Sequence, residues 1–502
     1  MPHLFSRRRF LLTSAACATG LPSRLVRANG DRPALPLPPL VDGSNGAPID
    51  LTIRTGNWSF LPGLMTPTLG INQDYLAPTL RTRRNTDLNL AYHNTLNEGV
   101  AIHGHGLHVP GIVDGGPQLE MPPGERWAPT LSIKQPAATC WYHSHTHGKS
   151  GAQTYRGLAG MIIIDDEETD ASDLPNRYGI DDLPIVLQDR TFDARGRLVY
   201  SLEGASEDGW YGETAIINGA IDPTTNVPVG KVRLRILNGA NARFYILTFA
   251  DNRVFQKIAC DGGLLETPVP LTTMEMSPGE RCEVIVDLSD GSPADLLLYF
   301  EDEVDVGGEG LISGVLNLFS QPAMPDPASV LTLQPDARLP ANTASLPERL
   351  TTIARPAPQE ITKTRTFELT MDHDDGPNHG DEHDHGGGHA AMDMAINGVA
   401  MDMNVINERV PLGVWERWRI RSDQGAHPFH AHGCSFLIEQ MEDGELPEDQ
   451  TGWKDTVVLD DDDWSEIVVK FDHVATDEFP YMYHCHILEH EDRGMMGQFT
   501  VT

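Results

Sequence analysis

Between residues 49 and 166 the chain is a series of short runs in which apolar and polar side chains alternate: IDLTIRTGNWSF (49–60), LNLAYHNTL (88–96), WAPTLSIKQP (127–136) and GLAGMIIIDD (157–166). Gly, Pro, Asn and Asp punctuate them. Runs of this length, period and β-branched content predict strands, and their regular spacing without long amphipathic stretches predicts an all-β sandwich. A second set follows, with LPIVLQDRTF (183–192), KVRLRILNGA (231–240), CEVIVDLSD (282–290) and LLLYFED (296–302). A third contains ERWRIRSD (416–423), FLIEQ (436–440) and SEIVVKF (465–471). A chain of 502 residues exceeds one ordinary core, and domains of about 150 residues are expected. The predicted division is 45–168, 178–322 and 365–502, with the Pro- and Ala-rich stretch 323–364 as a linker.

Two segments break the pattern. Residues 371–403 read MDHDDGPNHGDEHDHGGGHAAMDMAINGVAMDM, a composition expected of an acidic loop, although His and thioether tracts also bind metal. The opening residues carry twin arginines before a short apolar run, SRRRFLLTSAACATG, with VRA at 26–28. This predicts a twin-arginine export signal over 1–28 and hence a periplasmic protein. The apolar run is too short to span a bilayer, so no membrane span is expected.

Charge narrows the partners. Acids outnumber bases 72 to 37, a formal charge of −35 that becomes −40 when the five arginines of 1–28 are removed. Nucleic acid is excluded as a natural partner, because phosphate contacts require Lys and Arg. Six cysteines in a chain of this size form no disulfide framework. Cys140, Cys260, Cys282 and Cys434 read best as buried thiols.

The chemistry concentrates near the C-terminus, in YHCHILEHEDRGMMG (483–497). On a strand, Cys485 points one way while His484 and His486 point the other. The thiolate with His490 and the thioether of Met495 supplies most of a trigonal copper site with a weak axial Met. His484 and His486 face a second site, so two metal centres are joined through one tripeptide. Three further clusters supply imidazoles: His103/His105, His143/His145 and His427/His430/His432. A lone His-x-His is weak evidence. Four such clusters are not chance.

With HGLHVPGIVDGGPQ (105–118), QPAATCWYHSHTHGKSGAQTYRGLAG (135–160), RLRILNGANARFYIL (233–247), HPFHAHG (427–433) and GWKDTVV (452–458), the chain resembles the multicopper oxidases, most nearly the bacterial periplasmic cuprous oxidases of copper resistance. The resemblance implies three cupredoxin-like sandwiches and four copper ions per chain. It implies type 1 copper on His427, Cys485 and His490 with Met495 axial, and type 2 copper on His103 and His430. The type 3 pair would take His105, His143, His145, His432, His484 and His486. It makes Asp114 and Glu491 candidate proton donors, against a reading in which they only orient ligand histidines. His108 and His147 lie in the motifs but match no ligand, and the second sandwich, which has no His cluster, reads as a spacer. The implied activity is one-electron oxidation of substrate coupled to four-electron reduction of dioxygen to water, by a monomer.

The reductant is predicted to be cuprous ion. Met371 and Asp423 match that family's cuprous-ion site, whereas Gly425 and Gly376 stand where it has a Met and an acid. Asp374 or Asp375 with a histidine of the insert are the expected substitutes. A phenol, as in laccases, is the alternative reductant. A copper-storage protein accounts for the His-rich loop but not for the His-Cys-His strand. A division-associated protein of the same fold lacks the ligands that this chain carries.

Overall fold

The computed structural model describes residues 32–300, 328–372, 393–441, 446–460 and 464–502. The export segment, most of the His/Asp/Met-rich insert, and with it Asp374 and Asp375, lie outside the described residues. So does Gly376.

Among the described residues, six sheets pair into three β-sandwiches. The first closes over a core that includes Leu51, Ile53, Leu88, Leu90, Ile133 and Ile162. The second closes over Leu183, Ile185, Leu234, Ile236, Val284 and Leu298. The third closes over Phe367, Leu369, Trp418, Ile420, Phe429 and Tyr483. Alternation behaves as the sequence predicts where one face meets water. In Trp415–Ser422, Glu416, Trp418, Ile420 and Ser422 are buried, and the residues between them are only partly so. The buried Glu416 carboxylate is tied to Arg365, whose Nε lies at 2.6 Å.

The strands that carry histidines are different. Ala138–Ser144, His427–Ala431 and Tyr481–Cys485 are buried at every residue. One face of each packs into its own sandwich and the other meets the neighbouring sandwich. Register then does the chemical work. In the antiparallel pair His427–Ala431 with Tyr481–Cys485, His430 lies opposite His484 and Phe429 opposite Cys485. Opposed residues share a face, so the imidazoles leave on one side and the thiol joins the core on the other. In the first sandwich His103 lies opposite His143.

Two boundaries differ from the expected ones. Ala328–Asp336 is a strand of the second sandwich, antiparallel to Ala294–Phe300 and parallel to Thr224–Pro228. Its buried Val330, Leu331 and Leu333 are hidden in the sequence by flanking prolines and alanines, so the linker begins later than 323. Ordered structure also begins before 45. Leu35 packs in the second core, and Leu40–Asp42 is an edge strand of the first sandwich. Among the described residues no helix is long and apolar enough to cross a membrane. Cys140, Cys260, Cys282 and Cys434 are free and buried.

Candidate metal centres

The structure gathers the predicted donors into compact sets, the ligand atoms of each within 4.8 Å of one another: His103/His105/His430, His105/His143/His486, His145/His432/His484 and His427/Cys485/His490. The first three meet between the first and third sandwiches. The Nε2 atoms of His145 and His432 stand 3.4 and 3.3 Å from that of His484.

Six of the eight rings are held by an outer nitrogen. His103 Nδ1 donates to the Asp114 carbonyl (2.9 Å), His430 Nδ1 to the Asp455 carbonyl (2.7 Å), His143 Nδ1 to the Ser144 carbonyl (2.9 Å) and His484 Nδ1 to the Cys485 carbonyl (2.9 Å). Carboxylates serve two more: His432 Nδ1 donates to Asp114 (2.8 Å) and His105 Nε2 to Asp455 (3.1 Å). These bonds fix the tautomer and leave the inward nitrogen as a lone-pair donor. Inward Nε2 of His103, His143 and His430, Nδ1 of His105 and both ring nitrogens of His486 are buried without a hydrogen-bond partner. Buried polar atoms are almost always satisfied, so this convergence of orphaned imidazole nitrogens fits a metal cluster. Burial, then neighbouring rings, pushes His105, His143, His145, His430, His432 and His484 well below the ordinary imidazole range. Burial takes His486 to about 3. The rings are therefore neutral, the form that binds metal.

The second centre lies on the other face of the same strand. Cys485 Sγ is 3.3 Å from His427 Nδ1 and 3.6 Å from His490 Nδ1, and the two nitrogens are 3.2 Å apart. Their outer nitrogens donate to the carbonyls of Gln424 (3.0 Å) and Glu207 (2.6 Å). Met495 is fully buried in the same core, and its backbone bonds to Cys485 and His490. Burial raises the Cys485 thiol, and a bound cation is what would hold it as thiolate. Soft sulfur with two imidazoles is the donor set of a copper electron-transfer site.

Sequence reasoning missed three contributors. The second sandwich is more than a spacer: its 201–211 loop supplies the carbonyl that holds His490, and Arg493 anchors that loop through the carbonyls of Leu202, Ala205 and Ser206. Asp455 lies in the GWKDTVV motif but reveals its role only in three dimensions. Arg281, on a strand of the second sandwich, is wholly buried and donates to both Asp455 oxygens, at 2.7 and 2.5 Å. No sequence signal marks it, because a lone arginine on a strand reads as a surface charge. Arg281→Lys keeps the charge but loses the planar two-pronged contact. It is expected to loosen metal at His105 and His430 by about 10–100-fold while the Cys485 set retains its own. Chelator titration of the copper-loaded variant measures both.

The two acid candidates lie beside cluster histidines. Asp114 Oδ2 touches His432 Nδ1 and lies 3.3 Å from His103 Nδ1. Glu491 bridges two rings, with Oε1 3.3 Å from His145 Nδ1 and Oε2 3.4 Å from His484 Nδ1, and it accepts from Ser150 Oγ at 2.5 Å. His108 bonds Ser435 Oγ and belongs to none of the donor sets, as expected.

A cavity of about 260 Å³ reaches the Cys485 centre, lined by Met371, Gly425, His427, His490, Asp208 and Tyr211, among others. Met371 is thus brought to the centre. Asp423 is not among the lining residues. Its amide donates to the Leu369 carbonyl (3.1 Å) just beyond the strand end.

Neutral buried rings also predict acid sensitivity in the metal-free protein. A folded-state pKa below the unfolded value gives stability that is present above about pH 6.5 and lost as pH falls. His427, pushed by burial to about 4, loses it between there and about 4, and His486 between there and about 3. Each such ring removes about 1.4 kcal/mol of stability per pH unit in that window. Thermal melts of the copper-free chain from pH 7.5 to 4.5 are expected to fall steeply.

The fold and the two centres define a copper protein built from stacked β-sandwiches. Multicopper oxidase sequence profiles match residues 52–169 and 368–502. The cell division protein FtsP of Dickeya dadantii is 37% identical over 98% of this chain and 98% of its own. The laccase-like multicopper oxidase CueO of Ochrobactrum sp., described as active on lignin model compounds and lignosulfonate, superposes with a TM-score of 0.80. It is 36% identical and covers 93% of this chain and all of its own. A laccase of Pediococcus acidilactici superposes at 0.79 with 28% identity, covering 95% of each chain. The chain belongs to the multicopper oxidase family, whose members bind copper.

Proposed function

We propose that the chain is a four-copper oxidase of the periplasm, exported by the twin-arginine route. In this reading it removes electrons singly from cuprous ion, passes them to dioxygen, and protects against copper. The observation that carries the proposal is the Tyr481–Cys485 strand with His486, which places one centre's thiol between two imidazoles of the other. His427, Cys485 and His490, with Met495, hold type 1 copper; His103 and His430 hold type 2. His105/His143/His486 and His145/His432/His484 hold the type 3 pair. When bound, copper supplies the one-electron steps at the Cys485 centre and the four-electron reduction of dioxygen at the histidine cluster.

The chain's own residues do the rest. Cys485 gives a covalent path from its Sγ through the backbone to His484 and His486. Glu491, kept protonated by burial and the neighbouring Asp492 and Glu489, stores a proton beside His145 and His484. Asp114 orients His432 and His103. Met371 offers a soft thioether in the cavity at His427 and His490, which favours cuprous ion over a phenol.

Turnover with cuprous ion and with a phenol, together with copper content and a visible spectrum, tests the reading. Met371→Leu removes the sulfur at nearly constant volume. It is expected to lower cuprous turnover at least about tenfold while phenol turnover changes little. An equal effect on both would return the reductant to the phenol alternative. A second reading follows the name of the Dickeya relative, a cell division protein. Purified protein that takes up no copper and shows no turnover would favour it; the orphaned ring nitrogens argue for the oxidase.

A further inference from the structure

A second cavity, of about 340 Å³, shares no lining residue with the one at His427. It opens where all three sandwiches contribute: Arg84 and Lys134 from the first, Gly262 from the second, and Trp415, Trp453 and Lys470 from the third. The two indoles lie nearly parallel, 14° apart with centroids at 6.3 Å. Lys470 Nζ stands 5.3 Å over the Trp415 ring.

The charge there is reversed relative to the molecule. Against a chain of −35, three cations line this space with a single acid, Asp472, which is paired to Lys470 at 3.2 Å. The two lining histidines are neutral. Burial takes His108 to about 4 and lowers His473. Arg84 is fixed at the wall by donating through Nε to the Lys134 carbonyl (3.1 Å). The floor is kept open by Gly262. A Cβ there would come within 2.6 Å of Ser435 Oγ and 2.8 Å of Trp453 Cβ.

We propose that this cavity binds a small aromatic carboxylate, with its ring against the indoles and its carboxylate towards Arg84 and Lys134. The volume lies in the range of small-molecule sites, about 300–1,000 Å³. Flat aromatic walls select a planar body. A guanidinium with a nearby ammonium selects a carboxylate. The focused positive potential draws an anion through an otherwise repulsive field. With Lys470 paired to Asp472, Arg84 and Lys134 remain for the anion.

Titration calorimetry of the full-length, copper-loaded protein with naphthoate tests the site, with neutral naphthalenemethanol and adenosine monophosphate as comparison ligands. Saturable binding of one naphthoate per chain is expected, at least about tenfold tighter than either comparison ligand. Lys134 is solvent-exposed, so Lys134→Glu is expected to leave the fold and oxidase turnover unchanged while weakening naphthoate about tenfold or more. Trp415→Leu is expected to weaken it similarly. No saturable binding, equal binding of the neutral alcohol, tighter binding of the nucleotide, or full affinity in Lys134→Glu would each overturn the proposal.

Discussion

On the proposed four-copper reading, serine in place of Cys485 is expected to abolish turnover and the intense visible absorption of the copper-loaded protein, with copper content falling from four ions per chain to three. The reasoning starts from the strand. Cys485 is fully buried in the core of the third sandwich, opposite Phe429, and among the described residues receives only the Ile487 amide at 3.4 Å besides its two histidines. Serine is smaller and adopts the same backbone. An unsatisfied buried hydroxyl costs about 1–3 kcal/mol at most, so the sandwich survives. The hydroxyl is a far poorer donor for copper than a thiolate and leaves only two imidazoles at that site. His484 and His486 project from the opposite face with their backbone unchanged, so the histidine cluster keeps its metal. Visible spectroscopy, copper analysis and an oxygen electrode read the three consequences separately. A variant that stays blue, or one that loses all of its copper, would remove Cys485 from the electron path.

How far the sequence reaches is clearest at this strand. Alternation alone sets Cys485 against His484 and His486, because strand geometry has a period of two whatever surrounds it. The same rule separates His103 from Gly104 and His143 from Ser144, and the structure brings those rings together as the motifs imply. Sequence is blind to what crosses between sandwiches. Arg281 reaches His105 only through Asp455, 174 residues away, and the Glu207 carbonyl that holds His490 is a backbone atom, which no side-chain pattern announces. The strand Ala328–Asp336 escapes notice for a different reason. Its buried positions are few and its neighbours are proline and alanine, so composition outweighs period. The substrate side is legible only in part: Met371 lines the cavity at His427 and His490, whereas Asp423 does not.

Glu491→Gln is expected to keep all the copper and the visible spectrum but to slow dioxygen consumption by roughly 10²–10⁴-fold near neutral pH, the usual loss when a positioned acid is removed. Glu491 lies on the short helix Leu488–Asp492, fully sequestered, with one oxygen accepting from Ser150 and each oxygen facing a ring nitrogen of a different cluster histidine. Burial, reinforced by Asp492 and Glu489, raises its carboxyl well above the usual range, so the proton remains on it where an exposed glutamate would have released it. Glutamine has the same shape and still accepts from Ser150, so the helix and the rings keep their places. It has no acidic proton to give. Electron entry at the Cys485 centre involves neither of its oxygens and is expected to proceed at the wild-type rate. Stopped-flow reduction under anaerobic conditions, followed by mixing with dioxygen, separates the two halves of the cycle. Slow reoxidation with normal reduction assigns Glu491 to proton supply. Reoxidation at the wild-type rate across pH 5–8 would leave it only the task of orienting His145 and His484.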